Sequence, residues 1–202
     1  MTDIKKEQSL VVIKPDGIQR SLIGEIIQRF ERTGLKLIAL KMTIPSKELV
    51  HQHYTVDPNW RMNNGTKTIK AYMDQGKTPP TQDPMEMSGM TLDKLINYLS
   101  AGPAIAMVWQ GMHAVSVIRK VTGSTEPRTS DVGTIRGDFT IDSYEVSDID
   151  QRAVRNLIHA SGSAEDAEKE IPLWFKPEEL MSYKLFNEIV LYDTKFDCII
   201  ER

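Results

Sequence analysis

Residues 9–44 read SLVVIKPDGIQRSLIGEIIQRFERTGLKLIALKMTI: an apolar run, a turn, an amphipathic stretch, and a second apolar run. Ser9 to Lys14 is short and almost continuously apolar, the pattern of a buried strand, and Pro15-Asp16-Gly17 predicts a turn at its end. Lys14 therefore stands at a strand mouth. From Ser21 to Thr33, Leu22, Ile23, Ile26, Ile27 and Phe30 recur at helical spacing, with Gly34 placed to end the helix. Leu35 to Ile44 predicts a second strand stopped by Pro45, and Ser46 is positioned to cap a helix through about Tyr54.

Further along, Asn63, Asn64, Gly65, Gly76, Pro79, Pro80 and Pro84 break any long pattern between Asp57 and Thr91, leaving an expected insertion with some helix around Thr68 to Met73. Order returns with Leu92, Leu95, Ile96 and Leu99, a helix ended by Gly102-Pro103, and Ala104 to Gln110 predicts a third strand. Val115 to Val121 suggests a helix. Thr122 to Phe139 is glycine-punctuated and predicts a long loop carrying Arg128 and Arg136. After a polar stretch, Asp142 to Gln151, a fourth strand is expected over Val154 to His159, with His159 at its end. Ser163-x-x-Asp166 predicts a capped helix through Ile171, interrupted by Pro172, and Pro177-Glu178-Glu179-Leu180 starts another. On pattern alone, an α+β antiparallel sheet and a parallel one remain equally open.

The chain has 202 residues, 40% hydrophobic and 26% charged, consistent with one domain. Lys+Arg 25 against Asp+Glu 28 gives a net charge of -3, so no chain-wide basic field favours nucleic acid, and phosphate binding must be local. Cys198 is the only cysteine, which excludes an internal disulfide and favours a reducing compartment. The opening MTDIKKEQSL lacks the apolar stretch of a signal peptide, and no segment approaches the about 18 apolar residues of a membrane span. A cytoplasmic protein is expected.

Phosphoryl transfer needs cations around a polyanion and a nucleophile in line with the leaving oxygen. Lys14, Arg119, Arg136 and His159, with Asn156 just before it, sit on separate connections, as converging site residues do. Ile13-Lys14-Pro15-Asp16-Gly17, Thr134-Ile135-Arg136-Gly137-Asp138-Phe139 and Arg155-Asn156-Leu157-Ile158-His159 closely resemble motifs of the nucleoside diphosphate kinase family. Gly102-Pro103, Met107-Val108-Trp109 and Leu173-Trp174-Phe175 match as well.

The resemblance implies a single ferredoxin-like α+β domain over residues 1–202: four antiparallel strands with helices on one face. It places insertions at about 57–90 and 142–153 and an extended tail from about 181. It further implies that His159 is the nucleophile that carries the transferred phosphate, that Glu170 orients it, and that Ser161 stands beside them. Lys14, Tyr54, Arg119, Thr125, Arg136 and Asn156 match residues that bind phosphates or sugar hydroxyls. Magnesium is expected on the nucleotide phosphates with no protein-held metal, and a hexamer or tetramer is the family's usual assembly.

The chain departs from the family in reading His159-Ala160-Ser161-Gly162-Ser163 where His-Gly-Ser-Asp-Ser is usual. Thr91 stands where a base-stacking phenylalanine is common, with Leu95 left to cover one face. Other readings are weaker. Ala71 to Thr78 fits a relaxed P-loop expression, but it follows no core strand and Pro79-Pro80 would cripple the required helix. His51, His53 and His113 read as ordinary surface or core residues, Trp109 and Trp174 as core, and the methionines at 85 to 90 as packing. A nucleotide-binding scaffold without catalysis and a nucleic-acid-binding module are the rivals from other classes.

Overall fold

The computed structural model describes residues 4–74 and 76–195; Cys198 lies outside the described residues. Four strands, β1 (Glu7–Ile13), β2 (Lys36–Thr43), β3 (Ala104–Gly111) and β4 (Ile158–Ala160), form one sheet in the order β2-β3-β1-β4. Every neighbouring pair is antiparallel. β1 and β2 thus run the same way with β3 inserted between them, the split β-α-β arrangement of ferredoxin-like α+β folds.

The expectation of helices on one face is corrected: both faces are covered. Leu10, Val12, Ala104, Ala106 and Val108 face one core, with Val50, Leu99 and Trp174, while Val11, Ile13, Ile105, Met107 and Trp109 face another, with Ile26, Phe30 and Ile118. This is why Leu10 to Ile13 is apolar without alternation: successive side chains point into opposite cores, and all four are fully buried. Each contributes about 1.5–3 kcal/mol.

In chain order the helices are α1 (Pro15–Gln19), α2 (Ile23–Glu31), α3 (Lys47–Thr55), α4 (Trp60–Asp74), α5 (Pro84–Leu99), α6 (Ala114–Thr122), α7 (Ile135–Phe139), α8 (Tyr144–Ile149), α9 (Ala164–Trp174) and α10 (Asn187–Leu191). The expected turn at Pro15 is the first turn of α1, where proline's missing N–H is harmless. Ser46 caps α3 by accepting from Leu49 N, and Ser163 caps α9 by accepting from Asp166 N, both as read from the sequence. Pro172 does not end α9, which continues to Trp174.

In the region 57–90 the helix expected around Thr68 to Met73 is part of a longer one, α4, and Pro84 begins α5, with residues 76–83 between them in neither helix nor strand; the apparent breaker Gly65 lies inside α4. A Cβ at Gly65 would strike the backbone of Pro84, so its role is close approach of α4 to the start of α5. The polar stretch 142–151 likewise holds α8, capped by Ser143 accepting from Val146 N.

β4 is shorter than expected because Leu157 has φ 67, a left-handed conformation that breaks strand pairing ahead of Ile158. His159 consequently sits in the middle of β4, opposite Val12, not at its end. The tail from 181 follows the free edge of β2. Met181 N donates to Ile38 O at 2.8 Å, the Tyr183 hydroxyl to Leu37 O at 2.6 Å, and Lys36 pairs with Glu188 at 2.6 Å. No helix among the described residues is long and apolar enough to cross a membrane.

Candidate active site

The fold brings the ends of β1 and β4 and the loop before α7 to one place. Lys14 follows the last residue of β1, 4% exposed, and its Nζ donates to Asn156 Oδ1 at 2.7 Å while lying 5.0 Å from the centre of the Tyr98 ring. Burial, reinforced by the Arg136 charge, lowers its ammonium pKa to about 7. Asn156 is held on three more sides: Nδ2 donates to Thr125 O at 2.9 Å, its backbone N to the Tyr98 hydroxyl at 3.2 Å, and its carbonyl accepts from Arg136 Nε at 3.2 Å. The left-handed turn at Leu157 makes this convergence geometrically workable. Leu157 N donates to Asp16 Oδ2 at 3.2 Å, and Leu157 O accepts from Lys14 N at 2.8 Å.

Arg136 is 8% exposed. Besides Asn156 O it donates to Gly123 O at 3.0 Å, Ser124 O at 3.1 Å and Ile158 O at 2.7 Å. Burial lowers its pKa to about 10, so it remains a cation at neutral pH. Arg119, near the end of α6, is exposed, and its charge acts on Arg136. Thr125 is exposed on the intervening loop. Tyr54 packs edge-on to His159 at 6.4 Å between ring centres, and its buried hydroxyl has no hydrogen-bond partner among the described residues. Burial raises its pKa, so the phenol stays protonated.

His159 Nε2 lies 3.1 Å from Glu170 Oε1. The other carboxylate oxygen, Oε2, accepts from Ser161 Oγ at 2.6 Å, and Ser161 Oγ accepts from Leu10 N at 3.0 Å. Glu170 comes from α9, 6% exposed. Burial opposes its ionisation but is outweighed by His159, His53 and the Ser161 hydroxyl, which bring its pKa down to about 2. An ionised carboxylate only accepts, so it places the imidazole proton on Nε2 and leaves the lone pair on Nδ1. A neutral imidazole with one oriented, unprotonated nitrogen is a nucleophile.

The structure brings Lys14, Tyr54, Arg136, Asn156, His159, Ser161 and Glu170 together, with the Thr125 carbonyl on Asn156, while Arg119 is linked to them only by the effect of its charge on Arg136 and Arg128 pairs with Glu145 instead; two further residues join the group. His53, read as an ordinary core or surface residue, packs edge-on to His159 at 4.3 Å between ring centres. Trp174 Nε1 donates to His53 Nδ1 at 3.3 Å, which fixes the proton of the neutral ring on Nε2, a buried donor without a partner among the described residues. Burial above all, with the adjoining His159 ring adding to it, lowers the His53 pKa to about 3. Tyr98, the second addition, holds the Asn156 backbone. Neither carries a motif of its own; His53 occupies a core position of α3, and only its neighbour Tyr54 matched the family.

His53, His159 and Glu170 also form the one cluster of three metal-ligating residues among the described residues. Its nitrogen-rich, buried donor set does not suit magnesium, which prefers oxygens and retained water. Two departures from the family sequence are structurally accommodated. Ala160 is a core residue, 9% exposed, and a Cβ at Gly162 would lie 2.6 Å from Asp166 Oδ2, so the Asp166 carboxylate fills the space a side chain there would need.

A ferredoxin-like sheet presenting an oriented histidine among buried and exposed cations defines an enzyme that handles phosphate. The family model described as nucleoside diphosphate kinase matches residues 7–77 and 86–180. A nucleoside diphosphate kinase of Pyrobaculum aerophilum is 42% identical over 179 residues, 87% of this chain and 98% of the relative. Nucleoside diphosphate kinase A of Canis lupus familiaris is 40% identical over 187 residues, 93% of this chain and 97% of the relative. Among solved structures, an NDP kinase from Pyrobaculum aerophilum superposes with a TM-score of 0.84 at 40% identity, covering 88% of this chain and all of that one (100%). A nucleoside-diphosphate kinase from Borrelia burgdorferi, a transition-state mimic with bound vanadate and ADP, gives 0.77 at 34% identity, covering 93% and 98%. The chain belongs to the nucleoside diphosphate kinase family.

Proposed function

We propose that the chain passes the terminal phosphate of a nucleoside triphosphate to a nucleoside diphosphate in two half-reactions on Nδ1 of His159. In the first, the Nδ1 lone pair attacks the terminal phosphorus, an N–P bond forms, and the P–O bond to the departing diphosphate breaks. In the second, a terminal oxygen of another diphosphate attacks the same phosphorus, the N–P bond breaks, and a triphosphate leaves. The observation that carries this reading is the chain of contacts from Leu10 N through Ser161 and Glu170 to His159 Nε2, which orients the ring so that in its neutral form Nδ1 presents the lone pair.

Lys14, Arg119 and Arg136, with Thr125, Tyr54 and Asn156, stabilise charge on the transferring group and hold the phosphates and sugar hydroxyls. Magnesium belongs to the substrate, arriving on the nucleotide phosphates. The working unit is one domain over residues 1–202, assembled as a homo-oligomer, hexameric or tetrameric, and acting in the cytoplasm to balance nucleoside triphosphate pools.

The test is phosphorylation without an acceptor. The protein is mixed with labelled ATP and magnesium, freed of nucleotide, assayed for acid-labile phosphate, and chased with GDP. Label is expected on the wild type, absent from His159→Ala, and released as GTP. Exchange by His159→Ala at near wild-type rate refutes the mechanism.

A further inference from the structure

The groups at the back of the cleft are largely committed to the protein itself. Arg136 directs four hydrogen bonds at the carbonyls of Asn156, Gly123, Ser124 and Ile158. Asn156 uses Oδ1 on Lys14 and Nδ2 on Thr125 O. Inside the site the Tyr54 hydroxyl and His53 Nε2 have no partner among the described residues, and at the rim Arg119 and Thr125 are exposed.

Helix α8 adds a third group to that rim. Tyr144, in its first turn, is 42% exposed, its backbone N is bonded to the side chain of Glu126, the residue after Thr125, and its phenol lies within the electrostatic reach of Arg136. The helix is tied to the loop that carries Thr125. Tyr144 N donates to Glu126 Oε1 at 2.9 Å, Arg128 N donates to Asp142 O at 3.2 Å, and Arg128 pairs with Glu145 at 3.2 Å. From the other side, Asp142 accepts from Arg152 at 2.6 and 3.0 Å and from Arg155 N at 2.7 Å, next to Asn156. The first turn of α8, which carries Tyr144, is thus anchored both to the loop bearing Thr125 and to the segment bearing Asn156. Burial and the Glu126 carboxylate raise its pKa, so it is a donor at neutral pH.

We infer that Tyr144 is a phosphate-binding residue of this chain, its hydroxyl donating to a nucleotide phosphate oxygen held between Thr125 and Arg136. This rests on the reading that nucleotide occupies the cleft below His159. The segment at about 142–153, which the sequence marks as an insertion, then contributes a ligand contact and does more than extend a loop. A hydroxyl that donates to a charged oxygen is selective for phosphate and indifferent to the base.

The experiment is equilibrium binding of ADP, GDP and CDP to the full chain and to Tyr144→Phe, with thermal melting to verify folding. The three dissociation constants are expected to rise together by about tenfold, the size of a lost hydrogen bond to a charged group. The ATP concentration for half-maximal phosphorylation of His159 should rise by the same factor. Glu145→Gln loosens the tie to Arg128 without touching the phenol, so it is expected to leave all three constants within about twofold of wild type, whereas loss through loosening alone would follow this variant too. Constants for Tyr144→Phe within about twofold of wild type overturn the assignment, and so does a loss confined to one base. Wild-type protein that binds none of the three nucleotides refutes the underlying reading of the cleft instead.

Discussion

Replacing Lys14 by methionine should stabilise the free protein at pH 6 while removing a cation the proposed chemistry needs. The Lys14 ammonium has an ordinary pKa of 10.5 and a folded value of about 7. That separation, at 1.36 kcal/mol per pH unit, means the folded state at pH 6 bears a charging cost of about 5 kcal/mol. Methionine has similar length and no charge, so it relieves the cost but strips Asn156 Oδ1 of its donor, a loss of about 1–3 kcal/mol. The net expectation at pH 6 is a gain of about 2–4 kcal/mol.

The sign of the pH dependence provides the sharper test. Between about pH 7 and 10.5 the folded lysine has released its proton and the unfolded one retains it, so the unfolded state binds more protons and wild-type stability rises with pH. The methionine variant lacks that term. Its advantage should therefore shrink by about 3 kcal/mol between pH 6 and 9, close to vanishing. Urea unfolding followed by tryptophan fluorescence measures it, at matched protein concentrations because assembly adds a concentration-dependent contribution. A difference between the two proteins that stays constant within about 1 kcal/mol from pH 6 to 9 would refute the reasoning, as would a less stable variant at pH 6.

The remaining expectations concern the two other buried charges. Glu170→Gln replaces an acceptor with an amide that can donate to Nε2, permitting the tautomer that protonates Nδ1; single-turnover phosphorylation by ATP should slow by about a hundredfold or more. A change below about threefold would remove the orienting role of the carboxylate. Arg136→Lys cannot reproduce a planar fork that reaches four carbonyls, so urea unfolding should show a loss of about 3 kcal/mol or more. A loss under about 1 kcal/mol would mean those carbonyls find other donors.

What the sequence made legible follows local chemistry closely. The β1-α2-β2 opening is readable because a doubly buried strand and an amphipathic helix have different periodicities, and the serine caps at 46 and 163 are local by nature. The sequence suggests a longer β4 because Val154, Leu157 and Ile158 are apolar, whereas the break is a backbone angle at Leu157, a residue type that gives no warning of positive φ. In the 57–90 region the helix expected around Thr68 to Met73 is present but longer than the sequence suggests, for the opposite reason. Gly65 looks like a helix breaker from composition alone, and its use against Pro84 exists only once two helices are packed. His53 was missed because its partner, Trp174, is distant in sequence and its helical position fits a core residue equally well.

The departures from the family sequence divide by where they point. Ala160 and Gly162 are accommodated by packing, one in the core and one against Asp166, with His159 Nε2 at 3.1 Å from Glu170 Oε1 beside them. Thr91 differs in kind. A threonine has no ring to stack on a base, and its hydroxyl turns back to Met87 O at 3.2 Å within α5. Tyr144 does not replace that ring in the proposed arrangement, because there its hydroxyl is assigned to a phosphate beside Thr125 and Arg136. Affinity should then come chiefly from phosphate contacts, which are the same in every nucleotide. Comparing ADP, GDP and CDP on the wild type measures this directly: near-equal affinities are expected, and a strong preference for one base would require a base-reading group elsewhere in the cleft.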